Sequence, residues 1–240
     1  MYRIHIKEHK YGELVVLKNM DCVIEKGAFV VIMGESGCGK TTFLNIISGI
    51  LTGYDGEVYL NDKELHKKSK TQLLDIRREN LGMIFQDFQL IDFLNVEENI
   101  RIIDNKLTDE MIEEILSRLG IENLKEKTLG ECSGGEKQRV AIARVLAGNT
   151  QIILADEPTA SLDSKSAKEI MKIFESIHKE GYTIIMITHS VQIASYADRV
   201  LYLSEGKFRN DVCLKDVNQK EKLYQIIKLV EEHHVESLDS

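Results

Sequence analysis

Short, fully apolar runs alternate along this chain with stretches in which apolar residues recur every three or four positions. Ala28-Phe29-Val30-Val31-Ile32-Met33 is β-branched and uninterrupted, the pattern of a strand buried on both faces. Leu81 to Phe85, Ile152 to Ala155, Thr183 to Thr188 and Val200 to Leu203 read the same way. Met1 to Lys7 instead alternates apolar and polar, as a half-buried strand does. Residues 1 to 32 are expected to form several short strands, with turns at Lys10-Tyr11-Gly12 and Glu25-Lys26-Gly27, and Gly56 to Leu60 a further one. Helical spacing begins at Thr42-Phe43-Leu44-Asn45-Ile46-Ile47-Ser48, with Gly53 as the expected stop. It dominates from about 88 to 146, where Thr108 supplies N-cap chemistry and Met111, Ile112, Ile115, Leu116 and Leu119 form one stripe ending at Gly120. Ser164 to His178 is a third helix, with Ala167, Ile170, Met171, Phe174 and Ile177 inward. Beyond about 209 a tail ends in an expected amphipathic helix using Leu223, Ile226, Ile227 and Val230. Strands alternating with helices imply a mostly parallel sheet covered on both faces, split by a helical insertion.

Composition narrows the possibilities. The 240 residues are 43% hydrophobic and 29% charged, an ordinary water-soluble balance large enough for one sizeable core. A formal net charge of −8 has the wrong sign for a protein devoted to the phosphate backbone of nucleic acid, so no nucleic acid partner is expected. The basic stretch from Lys63 to Arg78 reads as a solvated face rather than a binding patch. Four scattered cysteines without a C-x-x-C pair suggest a reducing compartment, and no apolar run approaches the ~20 residues that span a bilayer. A cytoplasmic chain is expected, with any membrane business carried by a partner.

Candidate chemistry starts at Gly34-Glu35-Ser36-Gly37-Cys38-Gly39-Lys40-Thr41-Thr42, which fits G-x-x-x-x-G-K-[ST] between a strand and a helix start. Glycines there let backbone N–H groups curl around a polyphosphate, and the helix N-terminus adds partial positive charge. Lys40 is expected on the β- and γ-phosphates and the Thr41 hydroxyl on Mg²⁺. Hydrolysis also needs a carboxylate for the metal and a group for the attacking water. Asp156 and Glu157, directly after the apolar run 152–155, are the candidates, Asp156 for Mg²⁺ and Glu157 for the nucleophile.

Cys132-Ser133-Gly134-Gly135-Glu136-Lys137-Gln138-Arg139 then resembles the signature motif of ABC-type ATPases. The family's other marks stand around it in order: Gln86 in the glutamine loop, Asp156-Glu157-Pro158-Thr159, the turn Ser161-Leu162-Asp163, and the switch histidine His189. The resemblance covers residues 1 to about 208. It implies an α/β P-loop NTPase (RecA-like) core, 1–87 and 147–208, with an N-terminal antiparallel β subdomain, an inserted α-helical subdomain at 88–146, and a tail at 209–240. It implies ATP and Mg²⁺ as ligands and a head-to-tail dimer of two copies, in which Ser133, Gly134, Gly135 and Glu136 face the γ-phosphate held by the other copy. Tyr11 takes the place of the aromatic residue that stacks on adenine; Gln86 joins Thr41 and Asp156 at the metal, and His189 contacts the γ-phosphate. Departures are Cys132 for the usual Leu, Glu136 where many relatives have Gln, Ser190 where Asp is frequent, and no Tyr-Pro before the signature.

Glu136-Lys137-Gln138-Arg139 and Leu154-Ala155-Asp156-Glu157-Pro158-Thr159 are similar to the branch serving macrolide export, lipoprotein release and antimicrobial-peptide export. That implies an integral membrane permease as partner, docked near Gln86 to Asn99, and a peripheral position on the inner face of the cell membrane. Signalling to a cell-wall enzyme or sensor stays open beside transport, and a DNA- or ribosome-associated ATPase is the alternative from another class.

Overall fold

The computed structural model describes residues 1–238. Its strands are β1 (Tyr2–Tyr11), β2 (Leu14–Ile24), β3 (Phe29–Met33), β4 (Asp55–Leu60), β5 (Lys63–Glu64), β6 (Leu81–Ile84), β7 (Ile152–Asp156), β8 (Thr183–Ile187), β9 (Arg199–Ser204) and β10 (Lys207–Cys213). The α-helices are α1 (Lys40–Ile47), α2 (Lys70–Asn80), α3 (Val96–Arg101), α4 (Asp109–Leu119), α5 (Gly134–Ala147), α6 (Ser164–Lys179), α7 (Val191–Ala194) and α8 (Gln219–Leu238). Two sheets form, an antiparallel one in the order β2-β1-β4-β5 and a six-stranded one in the order β10-β9-β3-β8-β7-β6. In the larger sheet β3, β6, β7, β8 and β9 run parallel and only β10 reverses.

The apolar runs explain the layering. All five residues of β3 and of β8 are buried. Successive side chains point to opposite faces. Phe29, Val31, Met33, Ile153, Ala155, Ile184 and Met186 therefore join the core shared with α5, α6 and α8. Val30, Ile32, Ile152, Leu154, Ile185 and Ile187 join the core shared with α1, α2 and the antiparallel sheet. A period-2 run with no polar position is what a two-faced strand requires.

Four local expectations change. The N-terminal stretch forms two long paired strands, because β1 has partners on both sides, β2 and β4, whose ladders continue past one register shift each. Helix α1 stops at Gly49 rather than Gly53: Ser48 caps it and Gly49 takes the left-handed conformation (φ 70°) that closes a helix end. Strand β10 runs through residue 208, where sequence alone had ended the cassette, held by its antiparallel pairing with β9. In α8 the inward residues are Ile226 and Leu229, while Ile227 is exposed, and in α4 Met111 is exposed beside buried Ile112.

The segment between β6 and α3 is irregular but tightly tied. Phe88 and Gln89 are consecutive non-glycine residues with positive φ, 62° and 50°, a conformation that needs outside support. Arg144 Nη1 donates to the Gln89 carbonyl at 2.5 Å. The fully buried Asn99 accepts from Ile91 N–H (2.8 Å) and donates to the carbonyls of Ile91, Leu94 and Asn95 at 3.0–3.1 Å. Asn99→Leu keeps the volume but orphans these groups. It is expected to cost about 2–4 kcal/mol and to make residues 88–95 the first protease-sensitive segment. Unchanged denaturant midpoint and cleavage pattern would show that Asn99 does not hold this loop.

Candidate nucleotide site

Parallel register brings the candidate residues to one edge. The β7–β8 ladder pairs Ile152 with Thr183 and ends with Asp156 opposite Ile187. The β6–β7 ladder ends with Ile84 opposite Ala155. The segment from Gly34 to Gly39 leaves β3, Gln86 follows β6, Asp156 and Glu157 end β7, and Thr188-His189 follows β8, all at the carboxyl ends where ligands of open α/β sheets bind.

They enclose a cleft of about 450 Å³ lined by Tyr11, Ser36, Gly37, Gly39, Lys40, Thr41, Thr42, Gln86, Asp156 and Glu157. Val16 and Ile187 also line it and were not singled out by sequence. Gly34, Glu35 and Cys38 form the back of the loop rather than its lining. The Lys40 ammonium spans the loop, donating to the carbonyls of Gly34 (2.8 Å) and Glu35 (2.6 Å), with Cys38 Sγ at 3.8 Å. Two glycines are sterically required. A Cβ on Gly34 would lie 2.0 Å from the Leu203 carbonyl oxygen. One on Gly39, the residue before α1 with φ 108°, would lie 2.6 Å from Leu17 Cδ2 and 3.1 Å from the Val16 carbonyl oxygen. A side chain at either would force apart the walls of a loop whose N–H groups must close around an anion.

The donor set also fits a hard divalent cation. Thr41 Oγ1 donates to Asp156 Oδ2 at 3.1 Å, and Gln86 lines the same cleft, an all-oxygen set of hydroxyl, carboxylate and amide. Burial raises the pKa of Asp156; the Glu157 carboxylate adds to this, while the Thr41 hydrogen bond and Lys40 act against it. A buried carboxylate beside a second one is an electrostatic setting that a cation relieves.

Glu157 begins the turn after β7 with φ 47°, and its N–H donates to the Ile187 carbonyl at 3.0 Å. That fold-back directs its carboxylate to His189 Nδ1, 2.9 Å away. The Glu157 side chain is 15% exposed and that of His189 72%. His189 is not in the lining of the phosphate cleft. It opens on an adjoining cavity of about 610 Å³ that shares Glu157 with the cleft.

Ser133, Gly134, Gly135 and Glu136 lie outside the cleft of their own chain. They start α5 with a capping box: Ser133 Oγ accepts from Glu136 N–H (3.3 Å) and Glu136 Oε2 accepts from Ser133 N–H (2.7 Å). Those hydrogen bonds to Ser133 hold the Glu136 carboxyl below its usual pKa. Arg139 fixes the helix, donating to the Leu119 carbonyl and to Glu169, both at 2.7 Å.

With this geometry in view, comparisons with known proteins are specific. A family model described as ABC transporter matches residues 17–160. The bacitracin export ATP-binding protein BceA of Halalkalibacterium halodurans is 38% identical over 226 residues, covering 91% of this chain and 89% of that protein. The macrolide export ATP-binding/permease protein MacB of Mannheimia succiniciproducens is 41% identical over 220 residues; these are 87% of this chain but 34% of MacB, so the chain spans about a third of that relative. Among solved structures, the dimeric ATP-binding cassette MJ0796 of Methanocaldococcus jannaschii, in a post-hydrolysis state bound to ADP and Pi, superposes with a TM-score of 0.80 at 35% identity, covering 90% of this chain and 99% of that one.

Lys40→Ala is expected to weaken ATP binding about tenfold or more, because a charge-assisted phosphate contact is lost. Glu157→Gln should keep ATP affinity within about threefold while hydrolysis falls by roughly 10²–10⁴, since it removes a proton acceptor rather than a ground-state contact. Nucleotide titration and steady-state phosphate release on the purified variants separate the two. Near-normal turnover by Glu157→Gln would take Glu157 out of the reaction.

Proposed function

The chain belongs to the ABC transporter family, and we propose that it is the ATP-hydrolysing subunit of a transporter, working as a head-to-tail dimer beneath a separate membrane permease. One observation carries this: a phosphate loop, a Thr41–Asp156 pair and a Glu157–His189 pair meet at one sheet edge, while the second anion-binding segment of the same chain faces elsewhere.

In this reading the loop N–H groups, the α1 N-terminus and Lys40 hold the triphosphate, and Tyr11 stacks on the base. Thr41, Asp156 and Gln86 would hold Mg²⁺, which when bound would supply positive charge against that of the phosphates. Glu157 orients a water and accepts its proton as the oxygen attacks the γ-phosphorus and ADP leaves with the bridging oxygen. His189, as an imidazolium with both ring nitrogens donating, holds that carboxylate in position through Nδ1 and offers Nε2–H to the γ-phosphate. Ser133 with the N–H groups of Gly134 and Gly135 completes the site of the second copy.

Among the described residues no helix is long and apolar enough to cross a membrane. MacB is named as an ATP-binding/permease protein for macrolide export, and BceA is named for bacitracin export. Export of an antimicrobial compound is accordingly the reading here, with the chain peripheral on the inner membrane face through its permease. A groove of about 300 Å³ lined by Leu74, Arg78, Phe88, Ile103 and Arg144 sits beside the tied loop, in which Phe93 is 87% exposed. It supports docking of the permease at this place.

The dimer has a direct test. Lys40→Ala and Gly135→Asp are each expected to be nearly inactive; mixed, they should recover up to roughly a quarter of wild-type hydrolysis under random pairing, because a mixed dimer has one intact site. Cross-linking Ser36→Cys to Ser133→Cys between chains, with ATP, Glu157→Gln and the native cysteines replaced, controls for coupled sites. Absence of both recovery and inter-chain cross-link would sink the shared site.

A further inference from the structure

The wall of the cleft that carries Tyr11 has a built support behind it. Tyr11 ends β1, is half-exposed and lines the cleft. His9, on the same strand face, is only 5% exposed and meets Tyr11 edge to face, with ring centroids 4.9 Å apart and planes at 89°. This is the arrangement aromatic quadrupoles favour. The β1–β2 register jumps here, from His9 opposite Leu17 to Lys10 opposite Val15, which leaves Val16 as the extra residue of a bulge. Val16 lines the cleft next to Tyr11, and its carbonyl and Cγ1 back onto Gly39 of the phosphate loop. The bulge thereby links the tyrosine wall to the phosphate loop.

Neither ring nitrogen of His9 has a hydrogen bond of ordinary geometry. Burial lowers the pKa of the ring, opposed by a weak hydrogen bond to the backbone of Gly53, in the segment that follows α1. An imidazole with no better polar partner is an expensive choice for an interior position that an apolar side chain would fill. Its ring contact with Tyr11 is the interaction that distinguishes it from such a side chain.

We propose that His9 is a positioning residue for the nucleotide base: wedged between Tyr11 and the segment after α1, it fixes the plane of the Tyr11 ring and its distance from the phosphate loop. This rests on the reading of Tyr11 as the surface on which adenine stacks. His9 touches no phosphate and no reacting atom, so its effect is confined to affinity contributed by the base.

The test uses the full chain with ATP and inorganic tripolyphosphate as paired probes. The variants are Tyr11→Ala, His9→Ala, His9→Leu, His9→Phe and the double Tyr11→Ala/His9→Ala. His9→Ala is expected to raise the KM for ATP about three- to tenfold, with kcat within twofold and tripolyphosphate affinity unchanged. His9→Leu, which fills the space without a ring, should share the defect, and His9→Phe should return to within twofold of wild type. The double variant should be no worse than Tyr11→Ala. Equal losses for ATP and tripolyphosphate, additive losses in the double variant, full rescue by leucine, or no loss in His9→Ala would each overturn the role of His9. Tyr11→Ala binding ATP as wild type does would instead remove the stacking surface itself, which separates failure of that reading from failure of this one.

Discussion

Everything at the nucleotide site depends on the parallel register of β3, β8, β7 and β6. Glu157 and His189 are 32 positions apart in the chain, yet their contact follows from Asp156 facing Ile187 across one ladder. A slip of one residue would turn every side chain of the moved strand to the other face. It would also shift Asp156 along the ladder, away from Thr41. The site is insulated from such slips because these strands are buried on both faces and share two separate cores. Stability and catalytic geometry are set by the same apolar residues.

That rigid edge carries a few deliberately strained or unbalanced groups. Glu157 adopts a left-handed backbone that a non-glycine residue takes at a cost of order 1–3 kcal/mol. Its N–H bond to Ile187 and its carboxylate bond to His189 hold it there. Lys40 is bound to carbonyl oxygens of its own loop, so a phosphate competes for an ammonium already in place rather than one recruited from solvent. Asp156 is kept half-buried beside Glu157 at the cleft, a setting that favours a cation. None of these would persist on an exposed loop.

What could be read from sequence was what local chemistry dictates. The phosphate loop was legible because anion binding fixes both residue type and spacing between Gly34 and Thr41. Asp156 and Glu157 were legible as two acids directly after an apolar strand, whereas Gln86 and His189 came only through the resemblance to ABC-type ATPases. Sequence could not show that Glu157 and His189 are bonded to each other, since that depends on which strands are neighbours. Asn99 carries no signal of its own in the sequence, because its four hydrogen bonds depend on a loop with no periodic pattern. The bulge at Val16 and the stop at Gly49 were hidden for a related reason. Both depend on what the backbone meets in space, the phosphate loop in one case and Leu73 and Arg77 of α2 in the other.

The signature segment shows how one helix end can serve two demands. Four N–H groups at a helix start lack intrahelical partners. The capping box satisfies that of Glu136 with Ser133 Oγ and ties down the N–H of Ser133 with Glu136 Oε2. Among the described residues the N–H groups of Gly134 and Gly135, between them, have no such side-chain hydrogen bond, although Leu162 and Ser166 stand close beside them. The helix start is thus stabilised without using the donors an incoming phosphate needs. Glu136 sets a limit on this arrangement. Its carboxylate is held ionised by the same bonds that cap the helix, so a negative charge sits one turn from the anion site. In the proposed dimer, closure over a triphosphate would work against that charge with the two glycine N–H groups, the serine hydroxyl and the helix dipole. A glutamine there would cap the helix through its amide oxygen without the repulsion.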